Sequence, residues 1–230
     1  MIPTLIILLL KKYKACGSWR LVAIELQTAV LPAVRKFFGL LVLGLLLAFT
    51  LCGQKTMLQY AIFHDGEKVG HLNINSSCTS DRIQLKMESE VKTRIIFRIN
   101  VFSREETIIS DGKIIYSSIF RRINGDEKAN QQLKSIHNGY QVIRPGQTKI
   151  LDHEAFEYNM LLFYTKEPVD IHQAYSDNYQ KYINIKKVDS NRYMVSLPNG
   201  SKNVYTYNAG ICTMVEVNHS LYNLKFILQR

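Results

Sequence analysis

The side chains able to do chemistry are scattered along the chain. None of the six histidines, His64, His71, His137, His153, His172 and His219, forms an i, i+4 pair that would put two imidazoles on one helical face. His153-Glu154 reproduces half of a zinc-protease motif, but Glu157 stands where the second ligand belongs. Glu154 and Glu157 could act as paired acids. Three apart at the start of a helical pattern, however, they fit ordinary complementation of the helix dipole. No Gly-x-Ser-x-Gly elbow and no phosphate-binding glycine loop is present. No catalytic residue, metal site or cofactor is therefore expected, and the protein reads as non-enzymatic.

Cys78 and Cys212 lie far apart in sequence. In an oxidising compartment they are candidates for a disulfide closing a long loop, and otherwise they pack as small apolar residues. The aromatics are more suggestive. Tyr158, Phe163, Tyr164, Tyr175 and Tyr179 cluster within about twenty positions, as core residues or as the lining of a cavity for a lipid-like ligand.

These side chains need strands to position them. Leu58–Phe63 and Lys68–Asn75 flank Asp65-Gly66, Arg82–Val91 alternates with period two, and Asp111-Gly112 and Asn124-Gly125 punctuate further β-prone runs. Residues 94–110 read as one long run. The same chemistry returns in 192–230, where Asn199-Gly200 and Ala209-Gly210 separate tyrosine-rich strands. One helix is expected over 153–167, with Phe156, Met160, Phe163 and Tyr164 on a stripe, Asp152 as N-cap and Pro168 as the stop. The sum is about ten short strands and one helix. That predicts a mainly β domain, a single antiparallel curved sheet, half-barrel or sandwich, with the helix covering its mouth.

The compartment is read from Arg35–Gln54, RKFFGLLVLGLLLAFTLCGQ. Two cations, an apolar run and a short small-residue exit have the order of a secretory signal peptide, with cleavage after Gly53 leaving Gln54 first. Residues 34–53 suffice as a complete signal, so 1–33 read as a start-site artefact. Alternatively 1–33 are real and 37–52 stay as a membrane anchor, although sixteen residues are short against the roughly 20 that span a bilayer. The exported domain is then 54–230. Half of the net charge of +10 sits in the first 53 residues, so the remainder is only mildly basic and no nucleic-acid partner is expected.

Several stretches resemble a family of small exported proteins of unknown function found in Bacteroidota-type bacteria. They are QYAIFHDGEKVGHL (59–72), SDGKIIYSSIFRRING (110–125), MLLFYTKEPVDI (160–171) and NGSKNVYTYNAGICTMVEV (199–217). The resemblance implies an exported antiparallel β domain and carries over no functional residues. A more distant likeness is to half-barrels covered by helices, as in lipoprotein carriers. The expected function is an envelope or periplasmic β protein binding a lipid-like ligand or an envelope component. The alternative is an interaction module without a cavity. Membrane contact is expected only through an uncleaved N-terminal segment.

Overall fold

The computed structural model describes residues 55–79, 81–94, 98–153 and 155–229. All lie in one compact unit, Cys52–Arg230. The signal or anchor reading of residues 1–53 falls outside the described residues. Among the described residues, no helix is long and apolar enough to cross a membrane.

The first meander comprises β1 (Lys55–His64), β2 (Glu67–Cys78), β3 (Arg82–Arg94), β4 (Arg98–Ser110), β5 (Lys113–Ile123), β6 (Asp126–Ile136), β7 (Gly139–Arg144) and β8 (Gln147–Leu151). The second comprises β9 (Gln173–Ser176), β10 (Lys181–Asp189), β11 (Arg192–Ser196), β12 (Lys202–Asn208), β13 (Ile211–His219) and β14 (Tyr222–Leu228). Each strand pairs antiparallel with its chain neighbour within its meander, and β1 pairs with β14 to fuse the two into one fourteen-stranded sheet. β8 and β9 are the two edges, and no ladder joins them.

The tight turns follow from residue chemistry. Asp65-Gly66, Asp111-Gly112, Asn124-Gly125 and Ala209-Gly210 all have positive φ at both central positions. That is the signature of type I′ hairpins, whose twist matches the strands. Asn199-Gly200 differs: only Gly200 has positive φ, and Asn199 Oδ1 instead accepts from Ser201 N at 3.1 Å in a wider loop. Residues 94–110 are not one strand, because the chain reverses between Arg94 and Arg98, which are register partners of β3 and β4.

Alternation gives the curled sheet an apolar inner face. In β3, Leu85, Met87 and Val91 are buried while Lys86 and Glu88 are exposed. The curl also brings the two ends of the sheet together through side chains. Gln131 of β6 donates to Asn178 O at 3.1 Å, and Gln180 Nε2 donates to Gln131 Oε1 at 2.5 Å.

The helix expected over 153–167 is absent and is replaced by extended chain with one 3-10 turn, Leu162–Tyr164. The segment does not lie over the sheet with one apolar stripe. It runs inside the curl, and Phe156, Tyr158, Asn159, Leu161, Leu162 and Phe163 are all buried. Its backbone groups find partners on neighbouring elements. Phe156 O accepts from Ile114 N at 2.7 Å, Phe156 N donates to Tyr140 Oη at 3.1 Å, and Tyr158 O accepts from Tyr175 N at 2.9 Å. With those bonds supplied from outside, no i→i−4 ladder is needed, and tertiary packing overrides a helical periodicity.

Candidate functional site

The interior is filled on one side and open on the other. On the filled side, Phe163 lies between Tyr158, centroids 5.1 Å apart, and Tyr205, 4.4 Å apart, while Phe156 contacts Tyr140 and Tyr175. Four of the hydroxyls have assigned acceptors. Tyr60 donates to Cys212 O at 2.7 Å, Tyr140 to Ile114 O at 2.8 Å, Tyr207 to Phe163 O at 2.7 Å and Tyr158 to Lys166 O. Burial holds the phenols of Tyr158, Tyr164 and Tyr175 above the ordinary tyrosine range, so they remain protonated donors.

The open side is a cavity of about 430 Å³, within the range of small-molecule sites. Its wall is largely apolar: Leu72, Met87, Val91, Leu197, Leu224 and Phe226. Thr93, Ile99, Ile123, Asn199 and Tyr222 also line it. These sit at the ends of the β3–β4, β5–β6, β11–β12 and β13–β14 hairpins, so the cavity opens between those tips. A groove beside this mouth carries Lys68, Lys92, Arg94 and Arg98.

A polar strip crosses the apolar wall. Ser103 and Arg121 are register partners on β4 and β5, as are Thr107 and Ser117, with Glu105 between them on the inner face of β4. Arg121 Nε donates to Ser103 Oγ at 2.8 Å, and its Nη2 stands 3.5 Å from Glu105 Oε1. The β9–β10 turn supplies Asp177, which accepts from Ser117 Oγ and, at 3.1 Å, from Asn159 Nδ2. Asn159, fully buried, also donates to Thr107 Oγ1 at 2.8 Å and accepts from Leu162 N at 3.3 Å. One side chain thereby ties the inner segment to β4 and to the β9–β10 turn.

Burial dominates the electrostatics of the strip. It pushes Glu105 up to about 7, with Arg121 opposing and Asp177 adding to the rise. It pushes Asp177 up to about 6, opposed by the donors Ser117 and Asn159. Glu105 keeps 15% of its side-chain surface, and Glu105 is one of the residues facing the cavity.

Of the five aromatics singled out from sequence, Tyr164 and Tyr179 line the cavity, whereas Tyr158, Phe163 and Tyr175 are buried in the filled side. The segment carrying them closes the inner end, where Met160 and Tyr164 face the cavity, and does not cover the mouth. Glu105, Arg121, Asp177 and Asn159 were not foreseen. Cys78 and Cys212 are not joined. They lie on β2 and β13, three strand spacings or about 14 Å apart along the sheet, beyond disulfide reach. Cys78 Sγ donates to Thr79 O, and Cys212 Sγ to Met214 O, both at 3.4 Å. Burial pushes the Cys212 thiol up to about 12, which makes it a poor nucleophile. His153 stacks on Phe156 with centroids 4.4 Å apart, and Glu157 is exposed. Among the described residues no three His, Cys, Asp or Glu side chains converge as a metal site.

Fold and site together define a class: a mainly β, barrel-like domain whose sheet does not close and whose interior is half empty. The chain belongs to the domain of unknown function family DUF6134, whose model matches residues 60–229. Among solved structures it is similar to the beta-barrel-like protein of domain of unknown function DUF1849 from Brucella abortus. The TM-score is 0.50 at 9% identity, covering 78% of this chain and 97% of that one. At that identity the likeness shows the fold alone. No curated protein matches the sequence.

Proposed function

We propose that the domain is a non-catalytic binding protein that holds an elongated apolar or amphiphilic molecule in the cavity between the β3–β4 and β13–β14 hairpins. The observation that carries this reading is the contrast inside the curl. Apolar side chains of β2, β3, β4, β5, β13 and β14 face open space of about 430 Å³, while the filled side is packed ring against ring. Leaving apolar surface uncovered costs about 25 cal/mol per Å², so an occupant that covers it is stabilised in proportion. The signal-like stretch Arg35–Gln54 supports export, which makes envelope lipids or lipid-like molecules the accessible ligands.

The experiment is mass spectrometry of the protein purified gently from its own cells, intact and after solvent extraction. A chain beginning at Gln54 that carries a stoichiometric apolar molecule is the expected result. A protein that elutes empty and fails to take up an apolar fluorescent probe overturns the binding role.

A further inference from the structure

Among the described residues, three charged side chains line the cavity: Glu105, Asp177 and Arg121. When all three ionise the wall carries a net charge of −1. Arg121 is committed, with Nε on Ser103 and Nη2 facing Glu105. Asp177 is faced by neutral donors, the Ser117 hydroxyl and the Asn159 amide, and among the described residues by no cation close by. A carboxylate taken out of water without a counter-charge is costly.

We infer that the cavity takes an amphiphile with a protonated amine head, seated against Asp177 and Glu105. The inference rests on the binding role proposed above and specifies its ligand class. An ammonium head supplies what this wall lacks, a positive charge and up to three donors. A carboxylate or phosphate head would meet two acids and compete with Glu105 for Arg121. A hydroxyl head would leave the Asp177 charge uncompensated. The upward displacement of both acids agrees, since each is a carboxyl that burial holds back from ionising.

The test is titration calorimetry of the purified full chain with dodecylamine, dodecanol and dodecanoate, each below its micellar concentration. Dodecylamine should bind at least about tenfold more tightly than either of the others, a difference of about 1.4 kcal/mol. Asp177→Asn and Glu105→Gln should each cut that preference to about threefold or less while dodecanol affinity stays put. Melting curves of both variants show that each is folded. Equal or tighter binding of dodecanol or dodecanoate overturns the amine head and leaves the binding role standing. A preference that survives both substitutions overturns its assignment to these acids. Failure of all three ligands to bind overturns the binding role itself.

Discussion

The two sides of the interior are built from the same sheet and differ in what faces them across the curl. Around Phe163 every ring has a ring opposite, and the hydroxyls of Tyr60, Tyr140 and Tyr207 each donate to a buried carbonyl. Around Phe226, half-buried on β14, the same alternation presents apolar side chains to empty space, interrupted by a charged strip. The difference arises from a single insertion: the chain between β8 and β9 enters the curl and fills one side only. A curled sheet of fourteen strands encloses more volume than its own side chains fill. Stability therefore resides on the side that is plugged, and the unplugged side is free to carry function.

Paired truncations measure that division. Phe163→Ala removes a fully buried ring with contacts on several sides and should cost about 3–5 kcal/mol. Phe226→Ala removes a ring that already borders a cavity, and its cost should fall well below that, about 1–2 kcal/mol, because the transfer term is partial and little new void is made. Urea midpoints of the two variants decide the matter. Equal losses would mean that both sides are packed alike.

Much of the architecture was legible because its turns are local. Asp65-Gly66, Asp111-Gly112, Asn124-Gly125 and Ala209-Gly210 announce themselves by residue type, and each forms a hairpin. β8 is harder to see: Pro145-Gly146 has the chemistry of a breaker, yet Gly146, with φ of 72°, turns β7 directly into β8. β9 is four residues in a polar stretch, held by β10 and by a bridge between Asn159 and Tyr175. The 153–167 segment misled for a different reason. A chain threaded through the interior carries buried apolar residues at several spacings, and a helical stripe can be drawn through it. The polar strip left a fainter trace. Ser103, Glu105 and Thr107 share parity with Val101 and Ile109, and Ser117 and Arg121 with Ile119, so polar residues occupy positions that strand alternation assigns to the inside. What parity cannot show is Asp177, brought to Ser117 from 60 positions away.

The strip also sets a pH dependence confined to the open side. The groups facing Glu105 are Arg121, Asp177 and the phenols of Tyr164 and Tyr205. Its carboxyl lies at about 7 in the folded protein, against about 4.3 in an unfolded chain. Below pH of about 4 it is protonated in both states and its stabilising contribution is complete. As pH rises from about 4 the unfolded chain ionises freely while burial keeps the folded carboxyl protonated, so that contribution is lost progressively and is gone once the pH has passed about 7. The loss should reach about 4 kcal/mol for Glu105, with Asp177 acting in the same direction up to about 6. Glu105→Gln cannot ionise, so its stability relative to wild type should rise between pH 4 and 7 and level off above. Melting curves across that range check the sign, and a constant difference would show that Glu105 is as well solvated folded as unfolded.

The finest distinction comes from adding volume. Val195 is fully buried and is not part of the cavity wall, whereas Val101 lines the cavity. Val195→Phe must displace close-packed neighbours and should cost about 1–3 kcal/mol. Val101→Phe projects its ring into open space, where added apolar contact offsets local adjustment, so stability should change by less than about 0.5 kcal/mol. The same substitution occupies the volume that a ligand would use. It should therefore abolish uptake of an apolar probe in a protein that melts like wild type. A stable Val101→Phe variant that still binds the probe would place the ligand elsewhere on the molecule. A strongly destabilised one would mean that this side of the curl closes in solution, and the contrast between the two sides would disappear with it.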